Sequence, residues 1–207
     1  MNMSGQEIRE TYLEAGEYFA GIVDSIDIDG FEASALGEWC VRDLIGHTYR
    51  AFTTVLSYSA SPTQQVDFER PVDYFLSLLS TDINHGQIAE RGRAAGLEII
   101  DNPKMMVRGF AMYVTNKLEE LRDDHIVGTL AGGMRLIDYL PTRTFELIIH
   151  TMDLTKALGM ESNPPERGLE STLQIVGQLA LHRGHAPDLI LASTGRHGLA
   201  NGFTVLS

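Results

Sequence analysis

Residues 143–154 read Arg-Thr-Phe-Glu-Leu-Ile-Ile-His-Thr-Met-Asp-Leu, and this segment gives the clearest indication of the fold. Its ionisable residues Glu146, His150 and Asp153 follow one another at i, i+4 and i+7 within an otherwise apolar run. On an α-helix these positions share one face, so a carboxylate and an imidazole converge. The segment therefore predicts a long helix, from about residue 142 to 158 with Pro141 just before it, that presents potential metal ligands.

The same spacing occurs far upstream, in residues 39–47, which read Trp-Cys-Val-Arg-Asp-Leu-Ile-Gly-His. Asp43 and His47 are four residues apart, and the helix predicted for about residues 41–59 places His47 in the middle of its apolar face. A histidine in that position loses hydration unless its ring nitrogens find partners. His47 is therefore either a structural residue bonded to a backbone carbonyl or a residue that faces Glu146 and His150 across a helix bundle.

The remaining periodic segments extend the helical pattern in both directions. Residues 4–26 carry an apolar stripe, with Ser4 as N-cap and Glu7 completing a capping box. Further helices are predicted for about residues 71–95, with a weak point at Gly86, and for about residues 105–122 and 166–182. We thus expect an all-α protein, a four-helix bundle.

The chain end is predicted to form an appendage to this bundle. After a linker at Asn163-Pro-Pro165, the segment from residue 166 to 207 begins with a short C-terminal helix. Two short apolar runs at residues 188–194 and 202–206 then predict a small hairpin or an extended cover. The whole chain, residues 1–207, is expected to be one domain whose bundle covers about residues 4–160.

Composition excludes several classes of protein. The formal net charge of -12 arises from 28 acidic and 16 basic residues, and such a chain is repelled by nucleic-acid phosphates and anionic lipid. No uncharged apolar run approaches the roughly 20 residues that span a bilayer. The polar N-terminus does not read as a signal peptide, and the single Cys40 excludes an intrachain disulfide and a cysteine-rich zinc site. We expect no nucleic-acid or membrane partner, and a cytoplasmic location.

If His47 meets Glu146 and His150, the three supply two imidazoles and one carboxylate. Three such ligands leave a coordination position open, as in catalytic rather than structural zinc sites. Asp43 and Asp153, each one turn from a histidine, would then hold the imidazoles in the correct tautomer. The alternative is that these acids are ordinary exposed helix residues and that residues 143–153 form a solvent-facing stripe.

Two arginines are candidates for substrate contact. Arg91, which forms a cationic pair with Arg93 on the third predicted helix, offers a fork that can bind a carboxylate. The alternative is a solvated helix end. Arg143, on the stripe of candidate ligands, is the second candidate.

Together these motifs resemble the N-terminal domain of mycothiol-dependent maleylpyruvate isomerase, in the DinB/YfiT-like superfamily. The resemblance is carried by Trp39-x-Val-Arg-Asp-Leu-Ile-x-His47 and by Arg143-x-x-Glu-x-x-x-His-x-x-Asp-Leu154. The end of the chain, from Leu189 onward, is similar to that of short actinobacterial relatives.

The resemblance implies a four-helix bundle that binds a divalent metal, zinc first and nickel second, through His47, Glu146 and His150. It also implies mycothiol as a co-substrate that is activated as a thiolate, and a small anionic or electrophilic substrate. The reaction would be of the isomerase or thiol-transferase type. The longer isomerases carry a separate C-terminal domain that contributes to the site, whereas about forty residues follow the proline linker in this sequence.

Two alternatives to an enzyme stay open. The bundle is a non-catalytic metal-binding protein that senses or binds a partner, or its histidines are structural and bind no metal. An apolar face on the last helix also allows a homodimer, although periodicity does not distinguish such a face from core.

Overall fold

The structure is a computed structural model, and it describes residues 3–80, 90, 93–97 and 101–206. Its helices are α1 Gly5–Ser25, α2 Val41–Ser59, α3 Pro71–Ser80, α4 Pro103–Glu120, α5 Leu136–Ala157, α6 Glu166–His182 and α7 Ala186–Ser193. Two short antiparallel hairpins accompany them, β1 Ser34–Leu36 with β2 Trp39–Cys40 and β3 Ile126–Gly128 with β4 Gly133–Arg135. Residues 93–97 are also helical. The predicted all-α fold is confirmed.

Four helices form the bundle, because α1 and α2 each pack against both α4 and α5. Side chains fill the space between α1 and α2: the Tyr12 hydroxyl donates to the Ala51 carbonyl at 3.1 Å, and Phe19 packs on Phe52. Helix α5 also contacts α3, α6 and both hairpins. It is therefore the central element, and its residues are surrounded on most sides.

Several helix boundaries follow from local chemistry that the sequence already indicates. Ser4 and Glu7 form the predicted capping box at the start of α1. Helix α4 begins at Pro103, two residues before the predicted start, because Asn102 caps it by accepting a hydrogen bond from the Met105 N–H. The bounds of α2 and α6 agree with the prediction.

The expectation that Pro141 precedes the stripe helix is wrong, because α5 begins at Leu136 and Pro141 lies inside it. Proline removes one helical hydrogen bond, which normally ends a helix. Here the added first turns bury Leu136, Tyr139 and Leu140 completely. The hairpin β3–β4 also leads directly into the helix, so tertiary packing outweighs the cost of the proline.

The predicted hairpin in the appendage is also wrong. Residues 186–193 form α7, and no strand occurs among the described residues that follow it. Helix α7 has Pro187 in its first turn, and the Thr194 hydroxyl donates to the Ile190 carbonyl at its end. Val205 returns to the main apolar cluster and is 7% exposed.

The third predicted helix is observed only in part. Helix α3 covers Pro71–Ser80, whereas the predicted weak point at Gly86 and the candidate Arg91 lie outside the described residues. Further along, residues 93–97 pack closely on α2, since an added Cβ on Gly46 would lie 2.2 Å from the Gly96 nitrogen. None of the described helices is both long and apolar enough to cross a membrane.

Candidate metal centre

Helices α2 and α5 bring three ionisable side chains together. His47 comes from α2, and Glu146 and His150 lie one turn apart on α5. One ligand atom from each of the three lies within 4.8 Å of the others. The His47 Nε2 is 3.6 Å and the His150 Nε2 is 3.3 Å from the same Glu146 oxygen, Oε2.

The two distances to the Glu146 oxygen, 3.6 and 3.3 Å, are close to the edge of a tetrahedral metal site. Zinc binds imidazole nitrogen and carboxylate oxygen at about 2.0–2.2 Å, which places neighbouring ligand atoms about 3.3 Å apart. The side chains of His47, Glu146 and His150 are 17%, 21% and 16% exposed, so solvent reaches the cluster. The donor set thus fits one divalent metal with a coordination position left for a small molecule.

His150 is held between two carboxylates. Its Nδ1 lies 3.1 Å from an Asp153 oxygen, while its Nε2 faces Glu146. Burial alone would lower the pKa of His150, but the hydrogen bonds to Asp153 and Glu146 outweigh it and raise the pKa to about 9. The ring is therefore an imidazolium at neutral pH when no metal is bound, and Asp153 fixes the orientation that turns Nε2 toward the cluster.

Glu146 is the anion of this arrangement. Burial would raise its pKa, but hydrogen bonds from His150 and His47 and the nearby charge of Arg143 hold the pKa well below its ordinary value. The carboxylate is therefore ionised throughout the neutral range and available as a ligand.

His47 is positioned by ring packing. The ring centroids of Trp39 and His47 are 4.7 Å apart, and His150 meets His47 edge-on at 4.8 Å. Burial is the main reason that the pKa of His47 is lowered, so this imidazole is neutral at pH 7. Its Nδ1 is buried and has no hydrogen-bond partner among the described residues. The hairpin that carries Trp39, which turns at Gly37 with a φ of +58°, thus fixes the ring of His47.

Asp43 does not take the predicted position beside His47. Its carboxylate accepts hydrogen bonds from the Cys40 backbone N–H at 3.2 Å and from the Cys40 thiol at 3.3 Å. Asp43 occupies the third position of α2, where its carboxylate can accept a hydrogen bond from the backbone N–H of the N-cap residue, Cys40. The structure therefore corrects the predicted role: Asp43 caps α2.

Arg143 is buried, contrary to a solvent-facing stripe, and only 8% of the residue is exposed. Its guanidinium carbon lies 5.0 Å from the ring centroid of Tyr139 and 5.6 Å from that of Tyr74, and its Nε donates to the Thr142 hydroxyl. Desolvated cation–π contacts are worth about 2 kcal/mol each. Burying an ion costs several kcal/mol, so these contacts offset only part of the cost of burying Arg143.

Sequence reasoning did not single out Trp39, which packs on His47, Tyr74, whose ring faces the Arg143 guanidinium, or Arg50 on α2. Trp39 was part of the upstream motif, yet only the hairpin geometry places it on His47. Arg50 is one turn after His47, a spacing that the helix prediction contained. Arg93, by contrast, reaches outward to Glu38 at 2.8 Å.

No family model and no curated protein matches the sequence. Among solved structures, the chain is similar to the crystal structure of the mycothiol-dependent maleylpyruvate isomerase, with a TM-score of 0.59 and 16% sequence identity. The match covers 86% of this chain and 70% of that chain. The fold suggested by the sequence resemblance is therefore confirmed, with an isomerase as the structural neighbour.

Proposed function

We propose that this protein is a metal-dependent enzyme that uses a low-molecular-weight thiol, mycothiol, in a reaction of the isomerase or thiol-transferase type. The convergence of His47, Glu146 and His150 at distances suited to a tetrahedral metal carries the proposal. The shared fold supports the choice of reaction, since the structural neighbour is named for its dependence on mycothiol.

A bound divalent cation, zinc before nickel, supplies a Lewis acid that lowers the pKa of a coordinating thiol and so provides a thiolate at neutral pH. His47 and His150 offer their Nε2 atoms, and Glu146 offers one oxygen and a negative charge. The Asp153 carboxylate accepts a hydrogen bond from the Nδ1–H of His150 and so keeps Nε2 directed at the cluster. Trp39 packs on the ring of His47 and limits its movement.

The second substrate is a small anionic or electrophilic molecule. The net charge of -12 supports small-molecule over nucleic-acid partners. The cytoplasm is the proposed compartment, and a homodimer is the proposed assembly if the exposed apolar residues of α6 and α7, Leu173, Leu181 and Ile190, are covered by a second copy.

A non-catalytic metal sensor is the second candidate. It is favoured by one observation, that 30% of the length of the structural neighbour has no counterpart in the match. If that part of the neighbour contributes to its reaction, the present chain retains a metal centre without the full machinery.

Metal analysis tests the shared part of both candidates. Protein purified without an affinity tag, stripped with chelator and reloaded with zinc or nickel should hold one metal per chain. His47→Ala and His150→Ala should each abolish stoichiometric binding. His125→Gln is the matched control, because the His125 Nε2 instead lies 3.0 Å from the Ser59 backbone carbonyl. Wild-type protein that holds no metal after reloading contradicts both candidates.

Mycothiol consumption then separates the enzyme from the sensor. The loaded protein is assayed with maleylpyruvate and with a panel of electrophiles. Turnover that disappears in His150→Ala supports the enzyme. Binding of mycothiol without turnover across the panel favours the sensor.

A further inference from the structure

Two arginines next to the candidate metal centre have no carboxylate partner among the described residues: Arg50 on α2 and Arg143 on α5. The chain is strongly acidic, and eight of the other described arginines are paired with acids. Such ion pairs are made by Arg9, Arg42, Arg70, Arg93, Arg108, Arg122, Arg135 and Arg167. Arg50 and Arg143 differ from these eight because each lies three residues from a candidate ligand on its own helix, Arg50 after His47 and Arg143 before Glu146.

Arg143 is fixed in position. Its guanidinium packs over Tyr74 and Tyr139, and Thr142 takes its Nε hydrogen bond. Its two terminal nitrogens have no acceptor in the described part of the chain, although more than nine-tenths of the residue is buried. A preorganised guanidinium with two free donors suits a planar oxyanion.

Arg50 and Tyr74 extend the same place toward the metal ligands. Arg50 lies one turn beyond His47 on α2, the helix that packs against α5 and its candidate ligands. Tyr74 on α3 packs its ring against the Arg143 guanidinium, whose carbon lies 5.6 Å from the ring centroid.

Glu146 forms no ion pair with either arginine among the described residues, although the charge of Arg143 helps to lower its pKa. Its carboxylate faces His47 and His150, and in the proposed metal centre it is a ligand. Tyr139 and Tyr74 offer only ring faces to Arg143. A positive region thus persists beside the cluster unless an external anion occupies it.

We infer that Arg50, Tyr74 and Arg143 form a binding subsite for one carboxylate of a small molecule whose other end reaches the metal centre. The inference rests on the proposed function only for that second contact, and it selects an anionic substrate over an uncharged electrophile. Arg143 would bind the two carboxylate oxygens with its terminal nitrogens. Arg50 and the Tyr74 hydroxyl would approach the same group from α2 and α3.

Calorimetric titration with succinate, and with its uncharged analogue succinamide, tests the subsite on the zinc-loaded protein. Succinate should bind at least tenfold more tightly than succinamide. Arg50→Met and Arg143→Met should each weaken succinate binding at least tenfold, while Arg143→Lys should restore part of the loss. The matched control is Arg167→Met, which removes a surface arginine paired with Glu10 and should leave binding unchanged.

The same titrations on chelator-treated protein separate this inference from the metal proposal. Arginine-dependent succinate binding should persist there at reduced affinity, even if the protein proves to bind no zinc. Equal binding of succinate and succinamide overturns the subsite. The subsite is also overturned if succinate binding is lost when zinc is removed but is unaffected by Arg50→Met, because the carboxylate would then contact the metal alone. Since Arg50 is only half-buried, its variant remains informative if Arg143→Met fails to fold.

Discussion

The Nδ1 atom of His150 lies 3.1 Å from a carboxylate oxygen of Asp153, three residues further along α5. This contact sets which ring nitrogen of His150 faces the candidate metal centre. Hydrogen-bond partners of this kind commonly contribute a factor of about 10–100 to metal affinity. We therefore expect Asp153→Ala to weaken zinc binding by that factor, as measured by competition with a chromophoric chelator. Unchanged affinity would show that Asp153 does not position the ring.

Asp43 is the matched control, because it is also an acid four residues or fewer from a candidate ligand but caps α2 instead. Asp43→Ala should lower the free energy of unfolding by about 1 kcal/mol, the usual effect of losing a cap. Its zinc affinity should equal that of the wild type. A large loss of zinc binding in this variant would return Asp43 to the role first predicted for it.

The stability of the metal-free protein should depend on pH through His150. Its pKa is raised from the ordinary value of 6.5 to about 9 in the folded state, so protonation favours folding. The contribution is fully present below about pH 6.5 and is lost as the pH rises through about 9. With chelator present, the free energy of unfolding should fall by about 2 kcal/mol between pH 7 and pH 9.5. Denaturant titrations of His150→Gln should show this loss largely removed.

Zinc binding should show the opposite dependence on pH. Metal and proton compete for the Nε2 of His150, so binding releases a proton below a pH of about 9. The apparent zinc affinity should therefore rise by up to about tenfold for each pH unit between 6.5 and 8.5. Calorimetry in buffers of different ionisation enthalpy measures the released proton directly. Release of no proton at pH 7 would contradict the charged state assigned to His150.

Gly46 is needed for the contact between α2 and residues 93–97. An added Cβ would lie 2.2 Å from the Gly96 nitrogen and 2.6 Å from the Ala95 carbonyl carbon, so backbone must move. Gly46→Ala should destabilise the protein by about 1–3 kcal/mol, the usual range for overpacking. Gly109→Ala, on the open side of α4 where an added Cβ meets nothing within 4 Å, should instead stabilise it by about 0.5–1 kcal/mol. If denaturant titrations show the same change in stability for Gly46→Ala and Gly109→Ala, the close contact between α2 and residues 93–97 is contradicted.

The sequence predicted those features of the fold that depend on local chemistry. Apolar periodicity and capping residues located α1, α2 and α6, and helical spacing grouped Glu146 with His150 and Asp153. The helix bounds and this spacing depend on neighbours within one or two turns. The spacing alone left two alternatives open for His47, and the family resemblance favoured the one in which His47 faces Glu146 and His150.

The remaining features depend on contacts between distant segments. Pro141 looks like a helix boundary, and only the burial of Leu136 and Leu140 explains why α5 continues through it. Arg143 belongs by spacing to a polar stripe, but Tyr74 and Tyr139 enclose it from α3 and from α5 itself. The spacing of Asp43 and His47 predicted a contact between them. Asp43 instead accepts a hydrogen bond from the Cys40 backbone N–H, which the start of α2 leaves without a helical partner.

The candidate ligands on α2 and α5 lie far apart along the chain. A metal bound by His47 and the α5 pair would cross-link two points separated by on the order of a hundred residues, as a disulfide does. For closed loops of that length the chain-entropy model gives about 4–5 kcal/mol, less whatever affinity the unfolded chain retains for the ion. Metal loading would then slow amide exchange in α1 and α4 as well, although neither helix carries a ligand.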